Sequence, residues 1–428
     1  MLHPLLQELF RRMNEAGIRW CLLRWPSQPD APTGDIDLLV FREHARSWRA
    51  VARRLGFVRL PAPSGGKEWV HIAYDQPSCQ WLRLHMVTEV FFGPHQTMTT
   101  DAAVPCLARR EQRDEVYVLA DEDMFWTTLL HCLLDKRVIT ERHRKRLHQL
   151  MTSVEGKSPL YAELVAACPQ EMEAILERMQ THQWNSVEAS GPRLLATWRR
   201  RRPLHRRAAS FGRSLCHGAL RIYYRLQRRG LSIALLGPDG AGKSTLAKSI
   251  EKRFFLPVRL IYMGSGEGGG NPWLARLRVP GLGRPGRLLL LWARFLRSQW
   301  DKAVGRLVVF DRYTYDAYLP QGKGVTWPYR LTRWLHARAC PSPDLVLILD
   351  APGTVMYERK REQDPVGLEN QRQYYLQLQQ WLPRVQVVDA TQTLDQVQAE
   401  VLSRIWNLYA SRWQRRTTRR PFETSRGV

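Results

Sequence analysis

Ile233-Ala234-Leu235-Leu236-Gly237-Pro238-Asp239-Gly240-Ala241-Gly242-Lys243-Ser244-Thr245 is an apolar run that enters G-x-x-x-x-G-K-[ST]. A helical pattern follows from Leu246 to Phe254. Strand, glycine loop and helix in that order are the setting in which such a loop holds phosphate. Gly237, Gly240 and Gly242 let the backbone curl so that its N–H groups converge on phosphate oxygens. The helix start at Ser244 and Thr245 adds a partial positive end. Lys243 brings a mobile charge to the β- and γ-phosphates of a nucleotide, and Ser244 offers a hydroxyl to Mg²⁺.

Outward from this loop the second half keeps one rhythm. Apolar runs at 232–236, 258–262, 307–310, 345–349 and 385–388 alternate with helical segments, and the last three end at Asp311, Asp350 and Asp389. Short buried strands alternating with helices predict an α/β fold, a parallel sheet covered on both faces, with ligand beyond the carboxyl ends of its strands. In Val308-Val309-Phe310-Asp311-Arg312-Tyr313 the acid stands where a carboxylate reaches Mg²⁺ or an acceptor. Arg312 has the planar fork that grips a phosphate. Taken alone, an Asp-Arg-Tyr reads as a strand-end turn with a surface ion pair.

The chain has 428 residues, a length that predicts about two or three domains. No long uncharged apolar run is present, so no membrane-spanning helix is expected. Met1 to Leu5 lacks the basic and apolar regions of an export signal. Seven scattered cysteines with no C-x-x-C pair argue against a disulfide framework or zinc site and suit a reducing cytoplasm. The net charge of +25 points to an anionic partner. Residues 199–230 hold eleven arginines and no acid, and the tail from Arg412 holds six arginines against Glu423. Phe211, Leu215, Ala219, Ile222 and Leu226 put an apolar stripe on the first of these segments. The stripe fits either a helix lying on an anionic inner-membrane face or a solvated linker helix packed on one domain. Nucleic-acid binding is the weaker reading, because no nucleic-acid module is legible nearby.

Asp344 to Asp350 with Ala351-Pro352, then Tyr357-Glu358-Arg359-Lys360-Arg361, then Val387-Val388-Asp389-Ala390 complete a set. In order and spacing, from about Ile233 to Trp406, it resembles the thymidylate kinase family of nucleoside-monophosphate kinases. The stretch from Asp311-Arg312-Tyr313 to Gln321-Gly322 is similar to that family's acid-arginine-aromatic start and Gln-Gly end. The resemblance implies ATP as donor with Mg²⁺, and a nucleoside monophosphate or related small phosphate as acceptor. It implies that Asp239 approaches the acceptor's sugar hydroxyl, Arg312 holds its phosphate, Asp311 organises Mg²⁺ and water, and Gln321 faces its base. Arg359 and Arg361 would belong to a lid closing over the transferring group, or else to a solvated helix face. A homodimer is common in that family. The chain departs from it at the acceptor: Tyr262-Met263-Gly264-Ser265-Gly266-Glu267-Gly268-Gly269-Gly270 has no arginine where the family carries Thr-Arg-Glu-Pro-Gly-Gly, and Pro320 replaces an aromatic. A sugar or lipid-linked acceptor at the membrane surface, and a regulatory ATP-binding module without turnover, therefore stand as alternatives.

The first half, 1–118, reads as mixed α/β, followed by a helical segment at 119–200, a basic linker at 201–230, the P-loop domain at 231–411 and a basic tail at 412–428. Trp20 to Pro26, then Gly34-Asp35-Ile36-Asp37-Leu38-Leu39-Val40, resembles the nucleotidyltransferase superfamily. D-x-D on a strand points both carboxylates, Asp35 and Asp37, to one face where they can share Mg²⁺. The later strand that would bring a third carboxylate, Trp81 to Met86, offers Arg83 and His85 instead.

Overall fold

Strands buried on both faces have no polar side to show, and the second unit is built on five of them. In the computed structural model these are β10 (Ser232–Leu236), β11 (Val258–Tyr262), β12 (Leu307–Asp311), β13 (Leu345–Asp350) and β14 (Val385–Asp389). The structure describes residues 2–26, 28–32, 34–60, 68–201, 230–264, 283–319 and 327–417. Gln321, Pro320, the loop from Ser265, most of the arginine-rich linker and the end of the basic tail lie outside them. The chain divides into two units, Met1–Tyr224 and Arg225–Val428.

The sheet of the second unit runs β11-β12-β10-β13-β14, parallel at every pairing. The P-loop strand is central, and its backbone is anchored at the start by Asp344, which accepts from the amide and hydroxyl of Ser232. Strands β10, β12 and β13 are buried along their apolar runs, while the edge strands β11 and β14 are half-exposed, as outer positions require. Register places Leu235 beside Asp311 and Asp350 beside Asp389, so the strand-end acids gather at one end. The expected alternation of strands and helices holds throughout this unit, with five helices among the described residues: Lys243–Arg253, Gly283–Ala303, Trp327–Ala337 and the pair Gly353–Arg359 and Pro365–Gln377, before a long closing helix, Leu394–Thr417, makes a sixth.

The first unit is a seven-stranded mixed sheet in the order β3-β4-β5-β2-β1-β9-β8. Its strands are β1 (Trp20–Leu22), β2 (Asp35–Val40), β3 (Val58–Leu60), β4 (Glu68–Asp75), β5 (Gln80–Val87), β8 (Glu111–Arg113) and β9 (Val116–Val118), with β6 (Phe91–Phe92) and β7 (Met98–Thr99) forming a separate ribbon. Strands β2 and β5 run parallel, with Asp35 opposite Arg83 and Asp37 opposite His85. The helical segment opens with Asp121–Leu130, where the spacing of Phe125, Leu129 and Leu130 predicts one buried face but every residue from Glu122 to Leu130 is buried. Two of the three acids at its start are buried. Glu122 accepts from the amides of Gly156 and Lys157, and Asp123 is fully buried beside Arg109. The helix then widens into a π-helix at His131–Lys136.

Candidate active site

Glycine is required at the turn of the P-loop. Gly240 and Gly242 take φ of +88° and +91°, and a Cβ at Gly240 would lie 2.4 Å from the carbonyl oxygen of Met356. The loop and the Gly353–Arg359 helix are thus in backbone contact. Gly240→Ala is expected to push that helix away and cost about 2–4 kcal/mol, combining left-handed strain with overpacking. Thermal unfolding of the variant checks this, and an unchanged midpoint would refute it.

Lys243 starts the helix after the loop and is 5% exposed. Its Nζ donates to the carbonyl oxygens of Gly237 at 2.8 Å and Pro238 at 2.7 Å, and lies 3.7 Å from Asp239 Oδ1. Burial, then the nearby Arg312, pull its pKa down to about 8. An arriving polyphosphate favours the ammonium, so nucleotide binding above pH 8 is expected to take up a proton. Calorimetry of ATP binding at pH 8.5 in buffers of different ionisation heat measures this; zero uptake would contradict it.

Ser244 Oγ donates to Asp311 Oδ2 at 2.7 Å. A hydroxyl and a carboxylate oxygen at that separation are the hard donors Mg²⁺ takes, and the pair fits the ion by chemistry. Arg312 sits next along the chain with φ of +65°, unusual for a side-chain-bearing residue. Its guanidinium bonds to Asp239, and Nη1 is 3.6 Å from Asp316 Oδ2. Burial opposes the charge of Asp239, but Arg312 and Lys243 hold its carboxyl below the usual range.

Asp316, Tyr375 and Arg372 carry no motif and were not legible in the sequence. Asp316 is 8% exposed, and its Oδ1 accepts from the Tyr375 hydroxyl at 2.9 Å. Burial pushes its pKa up, against the pull of Arg312. Tyr375 belongs to the Pro365–Gln377 helix, so this bond ties that helix to the segment behind Arg312. Arg372 of the same helix bonds both oxygens of Asp350, at 2.5 and 3.0 Å, and Glu369, whose other oxygen accepts from the Gly353 amide. Arg359 ends its helix and Arg361 follows it; both are exposed, and neither makes an ion pair among the described residues. Thr245 lies in the first turn of the P-loop helix.

Lys243, Ser244, Asp239, Asp311 and Arg312 thus come together at one end of the parallel sheet, and the arrangement defines a P-loop phosphotransferase. Comparison with known proteins carries this further. A thymidylate kinase of Latilactobacillus sakei subsp. sakei (strain 23K) is 30% identical over 199 residues, covering 40% of this chain and 93% of that protein. One of Ectopseudomonas mendocina (strain ymp) is 34% identical over 205 residues, with the same coverage. One of Xylella fastidiosa (strain M23) is 30% identical over 186 residues, covering 39% of this chain and 83% of that protein. No protein-family model matches the chain. The chain belongs, over about two-fifths of its length, to the thymidylate kinase family. It is an ATP-binding phosphotransferase of the nucleoside-monophosphate kinase type.

Asp35 and Asp37 line one cavity of the first unit, as a D-x-D strand requires. Both are already ion-paired: Asp35 with Arg83 at 3.1 Å, and Asp37 with Arg24 and with His85 at 2.8 Å. His85 Nε2 is 2.7 Å from Glu68, a partner on β4 that the sequence did not suggest. Among the described residues no group of three or more His, Cys, Asp or Glu could hold a metal ion. No helix among them is long and apolar enough to cross a membrane.

Proposed function

We propose that the P-loop unit transfers the γ-phosphoryl group of ATP, with Mg²⁺, to the phosphate of a nucleoside monophosphate. The observation that carries this reading is the convergence of Arg312 and Asp239 with Lys243 and the Ser244–Asp311 pair. Lys243 leaves its two loop carbonyls for the donor's β- and γ-phosphate oxygens. Arg312 exchanges Asp239 for the acceptor phosphate, which its planar fork matches. The released Asp239 is then free to accept from a sugar hydroxyl. An acceptor phosphate is largely ionised at neutral pH and needs no strong base. Arg359, at the end of the helix that abuts Gly240, and Arg361 just beyond it make no ion pair among the described residues and are placed in sequence to bring the extra positive charge that transfer needs. Ser244 and Asp311 would hold Mg²⁺, which would supply neutralisation of the phosphate oxygens.

ADP release by the purified chain with ATP and Mg²⁺ tests this against thymidylate, other nucleoside monophosphates and sugar phosphates. Stimulation by a nucleoside monophosphate is expected. Stimulation by a sugar phosphate alone would move the acceptor to the second class, which the missing arginine between Gly264 and Gly270 favours. ATP binding with no stimulation would leave only a regulatory role. For assembly, Leu289, Trp292, Leu296 and Trp300 form an exposed ridge along one side of the Gly283–Ala303 helix, and we assign it to a second copy; light scattering of a Trp300→Glu variant tests it. The arginine-rich segment supports a peripheral place on an anionic membrane, tested by salt-sensitive sedimentation with phosphatidylglycerol vesicles.

A further inference from the structure

The first unit contains a cavity of about 500 Å³, within the size range of small-molecule sites. The kinase chemistry leaves it without a role. One side is apolar and aromatic, with Trp25, Val90, Phe91, Phe92 and Met124. The floor is β2 and β5, and here every acid is taken. Arg83 holds Asp35, while Arg24 and His85 occupy the two oxygens of Asp37. His85 also reaches Glu68 through its other nitrogen, so an imidazole fills the gap between two carboxylates. Of the remaining wall acids, Asp135 accepts from the Gly93 amide at 2.7 Å and pairs with His131 at 2.8 Å, and Glu89 is also engaged.

Three further cations line the cavity without such partners. Lys136 and Arg142 make no ion pair among the described residues, and Arg146 reaches only Met124 Sγ, at 3.1 Å. Between them, burial and then the positive charges of His131, Arg142, Arg24 and Lys136 hold the His143 pKa down. His131, Asp135 and Lys136 stand on the π-helix, which ends at Arg137 with φ of +59°. Such widened turns are rare and concentrate at functional sites. This one turns His131, Asp135 and Lys136 to the same cavity.

We propose that this cavity is a metal-independent binding site for a phosphorylated small molecule, its phosphate received by Lys136, Arg142 and Arg146 and its body lying against Trp25 and Phe91. With Asp37 held by Arg24 and His85 and Asp35 paired with Arg83, a divalent ion has to displace protein cations from both carboxylates, whereas Lys136, Arg142 and Arg146 receive the phosphate directly. The assignment is independent of the kinase site.

The probe is inorganic pyrophosphate, titrated calorimetrically into the full chain carrying Lys243→Ala, which removes the P-loop lysine. Pyrophosphate is expected to bind once per chain in EDTA, with no gain on replacing EDTA by Mg²⁺. Arg142→Glu, at an exposed position, is expected to weaken binding by about ten- to a hundredfold, and Arg142→Glu with Arg146→Ala to abolish it. Circular dichroism confirms that each variant is folded, and Arg142→Glu alone decides should the double variant unfold. No binding in EDTA, binding only with Mg²⁺, or undiminished binding in Arg142→Glu would overturn the proposal.

Discussion

Replacing Lys243 by alanine is expected to lower kcat/KM for phosphoryl transfer by about a thousandfold, the scale set by losing one buried charge aimed at the transferring phosphate. The ammonium is buried inside the loop, 2.7 to 2.8 Å from two of its carbonyls. Arg312 pairs with Asp239 and Asp316 and is assigned to the acceptor phosphate, so it does not stand in for Lys243 at the donor. The loss should fall on ATP affinity as well as on kcat, since the ammonium meets the donor's phosphates in the bound state and charge build-up in transfer also goes uncompensated. Lys243→Met, which keeps the bulk, separates this from collapse of the loop and should be equally inactive. ADP release paired with calorimetric ATP binding checks both. A variant retaining a tenth of the activity would show that Lys243 does not face the transferring group.

The second large effect concerns the first unit. His85→Ala is expected to destabilise that unit by about 3–5 kcal/mol, the range for breaking a buried ion pair from one side. Asp37 and Glu68 would be left facing each other across the space of the imidazole, with Asp37 only 11% exposed. Hydrogen exchange of the β2 and β5 amides measures the loss, and unchanged protection would refute it. The pair also sets a pH window. Burial disfavours the His85 charge, but hydrogen bonds to Asp37 and Glu68 raise its pKa from 6.5 to about 9. Its contribution is therefore complete below 6.5 and disappears as pH rises through 9. Asp37 moves the other way: burial opposes its charge, yet His85 and Arg24 bring its pKa down from 3.8 to about 2. That contribution is complete above 3.8 and lost as pH falls through 2. Stability of this unit should show its plateau between these limits, and His85→Gln should remove the alkaline decline.

What could be read in advance differs between the units for a physical reason. Parallel strands covered on both faces are continuous apolar runs, and those at 232–236 and 345–349 declare themselves without their partners. Strands β8 and β9 span three residues each and form a short hairpin, which joins the sheet because Val118 pairs with Leu22, far back along the chain. No local pattern records such a pairing. The helical segment at 119–200 was legible, but the wider turn inside it was not. A Cβ at Gly191 would lie 2.6 Å from the carbonyl oxygen of Leu133, so a distant backbone packs against that turn.

The candidate site divides along the same line. Chemistry carried by residue type at short spacing, in Gly237 to Thr245, Asp311-Arg312 and Asp35-Ile36-Asp37, belongs to the sequence by itself, because loop and strand geometry act over a few residues. Which groups those residues meet was decided by tertiary structure. Glu68 reaches His85 through sheet register, and Tyr375 reaches Asp316 across fifty-nine positions. Arg142 joins the wall that holds Lys136 because two helices pack around one cavity. Burial and opposing charge depend on these distant contacts. They determine whether Asp37 is free to take a metal and whether Lys243 is poised to lose a proton.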